Sequence, residues 1–270
     1  MEEPYVSASP RAGARVAHHQ RKDAMPPAAV ELLVVLPTYN ERDSLAAVVA
    51  GVRRSLPEAD ILIVDDGSPD GTGAIADALA ADDSHISVRH RARKSGLGTA
   101  YVLGFAAALS DGYRTVVAMD ADGSHRAEDL PALVAASRAG AGLVIGTRWM
   151  EGGRIVNWPA YRRWISRGGT WFARALLGSR LRDLTSGFRV IQLEWLRRID
   201  LEALDSQGYG FQVETAWTLE RMGCPVTEIP ITFVERADGR SKMSLGIVLE
   251  AFANVVRWSW RSRSRRTTAD

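Results

Sequence analysis

Lysine is scarce in this chain. Only Lys22, Lys94 and Lys242 occur among 34 basic side chains, the other 31 being arginine. Cysteine is scarcer still. The single Cys224 excludes an internal disulfide and fits a reducing compartment. Beside Pro225 it is expected to be a small buried residue. The formal charge is only +2 over 270 residues, so no global field draws the chain to a polyanion. Apolar runs are short. The longest candidates, 97–109 and 245–256, fall below the ~18 residues that cross a bilayer. Residues 1–29 are rich in Ala, Pro, Arg and His and lack an apolar core of the secretory kind. They read as a disordered tail. Any attachment to a membrane is therefore expected at its surface or through the anchor of a protein partner. Heptads and internal repeats are also missing.

What is present is ordinary globular material, 46% hydrophobic and 24% charged. This predicts one catalytic domain over 30–244, flanked by the tail and by an amphipathic helix with a basic end over 245–270. The runs 32–36, 61–64, 86–90, 115–119 and 143–146 read as strands. Helical spacing appears at 43–55, 72–81, 98–109 and 128–138. Such alternation predicts an α/β fold with a mostly parallel sheet and helices on both faces. Ligands of such sheets sit beyond the carboxyl ends of the strands. Four polar clusters fall there: 37–41 after the first strand, Asp65-Asp66-Gly67-Ser68 after the second, Asp120-Ala121-Asp122 after the fourth, and Gly146-Thr147-Arg148 after the fifth.

Asp120 and Asp122 are two carboxylates separated by one residue at a strand end. Hard oxygen ligands of this kind suit Mg²⁺ or Mn²⁺, which keep waters and share substrate phosphates. Ser124 or His125 could complete the set. Asp70 or Thr72 could cap the helix after the second strand, whereas Asp66 reads as an acceptor for a base or ribose. A strand over 230–234 leads into Arg236-Ala237-Asp238-Gly239-Arg240-Ser241-Lys242. Three cations on that turn could clamp a diphosphate, with Lys242 as a compact point charge in an arginine-rich chain.

Residues 154–182 hold seven arginines and no acid, interleaved with Trp158, Tyr161, Trp164, Trp171 and Phe172. The end of the chain repeats the theme with Arg257, Trp258, Trp260 and Arg261. Basic aromatic segments suit an anionic membrane interface. The same ingredients serve RNA binding, but the paired carboxylates and the cationic turn argue against a module without turnover.

Together and in order, the motifs 37–41, 65–70, Ser95-Gly96-Leu97-Gly98, 120–122, 146–148, Thr185-Ser186-Gly187-Phe188-Arg189 and 236–242 resemble the dolichol- or polyprenol-phosphate mannose synthases. These belong to the large inverting GT-A family 2. The resemblance covers about 32–244. It implies a GT-A (Rossmann-like) fold with amphipathic interfacial helices, and transfer of mannose from GDP-mannose to a polyprenyl monophosphate. It further implies that Pro37, Tyr39, Glu41, Val64 and Asp66 hold the guanosine portion. Asp120 and Asp122 would bind the metal, with the Ala121 backbone beside the donor and Ser124 at a third position. Arg148, Arg236 and Lys242 would meet phosphates. A phosphate acceptor is already anionic at neutral pH and needs no general base, so no role as base is expected for His125. The motifs leave UDP-glucose or another nucleotide sugar open as donor. The implied setting is the cytoplasmic face of a membrane, without nucleic acid.

Overall fold

The computed structural model describes residues 31–201, 204, 209–235 and 254–259. The tail, the turn 236–242 and most of 245–270 lie outside the described residues. Strands β1 (Leu32–Thr38), β2 (Asp60–Asp65), β3 (Ile86–His90), β4 (Thr115–Ala118) and β5 (Leu143–Thr147) fall on the five expected runs. Helices α1 (Leu45–Ser55), α2 (Thr72–Asp82), α3 (Leu97–Ser110) and α4 (Leu130–Arg138) connect them, with a 3-10 turn at Ala127–Asp129 opening α4. Further along lie β6 (Arg154–Val156), α5 (Ala160–Leu177), β7 (Arg189–Gln192), α6 (Leu193–Leu196), α7 (Tyr209–Arg221), β8 (Val226–Pro230) and β9 (Thr232–Val234).

Seven strands form one sheet in the order β3-β2-β1-β4-β7-β5-β8. Pairing is parallel except around β7, which runs antiparallel to both β4 and β5. The expected mostly parallel sheet is therefore present, with one reversed strand inside it. The strand expected over 230–234 is two strands. β8 closes the main sheet, the chain turns at Ile231, and β9 pairs with β6 in a small second sheet.

The core explains why the strands read as unbroken apolar runs. Leu33, Val35, Leu62, Val64, Val116 and Ala118 pack on one face with α3, α6 and α7. Leu32, Val34, Leu36, Ile61, Ile63, Val117 and Met119 pack on the other with α1, α2 and α4. A parallel sheet covered on both faces loses the alternation of a half-exposed strand. Helix α3 lies so close to β1 that a Cβ on Gly104 would sit 2.4 Å from the Val35 side chain. Cys224 is a buried free thiol, as expected, and burial pushes it up to about 12.

Candidate active site

The loops after β1 and β2 are stitched to each other. The Asn40 N–H donates to the Ser68 hydroxyl (3.1 Å), Glu41 N–H to Thr72 Oγ1 (2.9 Å) and Arg42 N–H to Asp70 (3.2 Å). Asp70 also accepts from the Thr72 N–H (3.0 Å) and hydroxyl (2.6 Å) at the start of α2, whose N-cap position is Gly71 rather than the expected Asp70 or Thr72. Burial pushes the Asp70 carboxyl up, but these Thr72 bonds and the Arg42 amide together hold it below the usual carboxylate range. Ser44 closes the cradle on its other side, donating to the Ala121 carbonyl at 2.8 Å. Tyr39 and Glu41 are half-buried at the rim, and Pro37 is buried at the end of β1.

Two of the expected donor-site residues, Val64 and Asp66, are buried. Val64 has no exposed surface and belongs to the core layer. It supports the site from beneath, because the inward face of a fully covered strand meets helix rather than ligand. Asp66 is committed internally. Its carboxylate pairs with Arg91 and accepts the N–H groups of Ser95 (3.1 Å) and Gly96 (3.2 Å). The residue shapes the 91–96 segment and thereby places Lys94, whose ammonium lies 4.0 Å over the Tyr39 ring. Nothing in the sequence assigned Lys94 a role, and only the fold brings it to Tyr39.

Asp120 and Asp122 follow β4. The Tyr101 hydroxyl, reaching from α3, donates to Asp120 Oδ1 at 3.0 Å. The Asp120 N–H donates to His125 Nδ1 at 3.2 Å. Gly187 lies against the same carboxylate, where an added Cβ would be 3.2 Å from Oδ2. The Ser124 N–H donates to Asp122 Oδ1 at 2.8 Å, and the Ser124 carbonyl accepts from Val234 of β9 at 3.0 Å. Ser124, the expected third ligand, is itself buried. No group of three or more His, Cys, Asp or Glu side chains that could hold a metal exists among the described residues. The arrangement suits a cation that takes few protein ligands and completes its shell with water and phosphate.

His125 is buried, stacked on Phe188 at 4.9 Å and edge-on to Phe233 at 5.5 Å. Burial pushes its imidazole down, and the Asp120 and Asp122 charges oppose that shift. With Nδ1 accepting from a backbone amide and little of the residue exposed, the ring braces the loop after β4.

Arg148 lies at the end of β5 with a partner that the sequence did not reveal. Its Nε and Nη2 each meet the Asp183 carboxylate at 2.8 Å, and Nη2 also donates to Thr185 at 3.0 Å. Asp183 has no exposed surface. The pair ties β5 to the segment entering β7. Arg189 locks the same segment from below, donating to the carbonyls of Ser186, Leu184 and Gln212. Burial pushes its guanidinium down to about 10. Arg236 and Lys242 lie outside the described residues. Strand β9 carries the chain toward them from beside Ser124.

Helix α5 separates the basic aromatic segment into two populations. Tyr161, Trp164, Ile165 and Trp171 form an exposed stripe, with Trp164 77% exposed. Arg163 and Arg167 are exposed beside it. Trp158 is instead buried, edge-on to Phe233 at 5.3 Å, and Phe172 packs on the core. Arg162 pairs with Glu235 at 2.5 Å. The short helical segment 254–259 seats Trp258 in the core against Trp217, so this tryptophan does not belong to a surface arm. No helix among the described residues is long and apolar enough to cross a membrane.

A GT-A-like sheet with paired carboxylates at its carboxyl edge defines a glycosyltransferase, and the chain bears this out. Residues 33–200 match the model for glycosyl transferase family 2, and the chain belongs to that family. Within it, the chain is 50% identical to the undecaprenyl-phosphate mannosyltransferase of Micrococcus luteus, over 87% of this chain and 96% of that one. It is 48% identical to the polyprenol monophosphomannose synthase of Mycolicibacterium smegmatis, over 87% of this chain and 89% of that one. Among solved structures, glucosyl-3-phosphoglycerate synthase from Mycobacterium tuberculosis, with Mn²⁺, UDP-glucose and phosphoglyceric acid, superposes with a TM-score of 0.63. That match has 21% identity and covers 85% of this chain and 79% of that one, so it shows the fold alone.

Proposed function

We propose that the chain transfers a mannosyl group from GDP-mannose to the phosphate of a polyprenyl monophosphate, with inversion at the sugar. The observation that carries this reading is the pair Asp120 and Asp122, held by fixed donors at the carboxyl edge of the sheet. Half-identity to a protein named undecaprenyl-phosphate mannosyltransferase supports the choice of sugar and acceptor.

In this reading an acceptor phosphate oxygen attacks the anomeric carbon. The bond from that carbon to the diphosphate breaks, and the nucleoside diphosphate leaves with the electron pair. The linked 39–42 and 66–72 loops hold the nucleoside, with Lys94 and Tyr39 at their rim. Asp120 and Asp122 would hold Mg²⁺ or Mn²⁺, with Ser124 beside them, and that ion would offset charge on the departing diphosphate. Arg236 and Lys242 would add positive charge where the same negative charge develops. Transfer of labelled mannose to a short polyprenyl phosphate tests this reading. GDP-mannose should be used and UDP-glucose should not compete. Transfer from UDP-glucose alone would overturn the donor assignment.

The acceptor also calls for a lipid surface. The Tyr161, Trp164, Ile165 and Trp171 stripe, flanked by Arg163 and Arg167, suits an anionic headgroup layer at the cytoplasmic face. Each arginine there contributes on the order of 1 kcal/mol. Reversing Arg163 and Arg167 to Glu is expected to weaken binding to anionic liposomes by roughly 30-fold or more. Activity on long-chain lipid should fall with it, while a short water-soluble acceptor is spared. Equal loss on both acceptors would assign these arginines to catalysis or folding. Absence of liposome binding by the unaltered chain would assign attachment to a membrane-anchoring partner.

A further inference from the structure

Tyr101 lies within one helical turn of the 95–98 motif but outside it, on a helix whose other inward residues are core. It has no exposed surface. Its ring stacks on Phe211 at 6.1 Å with an interplanar angle of 3°, and leans on Phe105 at 5.9 Å. An aromatic ring so placed needs no hydroxyl for packing, and phenylalanine would fill the slot. The hydroxyl is nevertheless aimed out of this apolar cluster at a single atom, Asp120 Oδ1, at 3.0 Å.

Asp120 has little else to orient its carboxylate. Its side chain is 26% exposed. The His125 bond is made by the backbone N–H and so fixes the main chain, not χ1 or χ2. Gly187 closes on the carboxylate without a side chain that could hold it. Among the described residues the phenol makes the one side-chain hydrogen bond to this carboxylate, His125 Nδ1 standing farther off at 4.0 Å from Oδ2.

We propose that Tyr101 is a positioning residue for Asp120, holding Oδ1 so that the carboxylate presents one fixed oxygen edge to a divalent cation. This rests on the metal reading given above. Groups that orient a metal ligand typically carry a 10–100-fold share of affinity or activity. A carboxylate free to rotate would lose part of its preorganisation toward such an ion.

The test is Tyr101→Phe, which keeps both ring contacts and removes one oxygen. The oxygen left behind on Asp120 is near solvent and can take a water, so melting in EDTA should match the unaltered chain. Mn²⁺ binding is read by electron paramagnetic resonance in the presence of GDP, without turnover. Affinity is expected to fall about 10- to 100-fold. In an Asp120→Asn background the same substitution should have almost no further effect, because Tyr101 acts through that carboxylate. An unchanged Mn²⁺ affinity, or equal losses in the two backgrounds, overturns the proposal. If Tyr101→Phe melts early, the comparison is made at a temperature where both chains are folded, and an unchanged affinity there again overturns it. Asp122→Asn is the control for the metal itself. Should the unaltered chain bind no Mn²⁺, the metal reading fails first and this inference falls with it.

Discussion

Asp122→Asn is expected to lower turnover by at least about 10²-fold while leaving the fold intact. The reason lies in what asparagine keeps. Asp122 is only 8% exposed, so a small residue there would leave a hole. Asparagine has nearly the same volume, and its side-chain oxygen can still accept the Ser124 N–H that Asp122 Oδ1 takes at 2.8 Å. What disappears is one negative charge facing the site. Donor transfer should fall and the melting curve should hardly move. Chelation with EDTA should reproduce the loss in the unaltered chain. Turnover that survives both the substitution and the chelator would sink the metal assignment.

Asp183→Ala is expected to act in the opposite order, on stability first. Asp183 has no exposed surface, and its two oxygens take two bonds of 2.8 Å from Arg148. Removing the carboxylate strands a guanidinium whose side chain is only 7% exposed. Breaking one side of such a buried pair costs about 3–5 kcal/mol. In a domain of this size that lowers Tm by roughly 6–20 °C. Activity should fall as well, since the pair holds the segment that brings Gly187 against Asp120. Replacing both partners, as Arg148→Met with Asp183→Leu, should recover part of the stability, because no buried charge is left unmatched. Calorimetry of both variants beside the unaltered chain measures this. An Asp183→Ala chain that melts with the unaltered one would mean that water or another group compensates Arg148.

The first five strands and four helices were legible because their signal is local. A strand covered on both faces is a short apolar run, and a helix shows its spacing within its own residues. β7 was not legible. It is only four residues long, Arg189–Gln192, and runs directly into the helix at Leu193, and its direction depends on the two strands it enters between. The break at Ile231 was hidden for a similar reason. An apolar run does not show that the chain changes sheets within it.

The sequence by itself determined the chemistry: two carboxylates after a strand, polar clusters beyond its neighbours, and arginine crowded without acid between 154 and 182. Residue type and spacing carry that information, since charge and hydrogen-bonding capacity belong to the side chain wherever it lies. Only the tertiary structure decided which of these groups face outward. Long-range pairing committed Asp66 to Arg91 and Arg148 to Asp183, buried Trp158 and Trp258 while leaving Trp164 and Trp171 exposed, and delivered Tyr101 to Asp120. Burial and partner choice depend on what other segments bring to the same place, and no single segment contains that information.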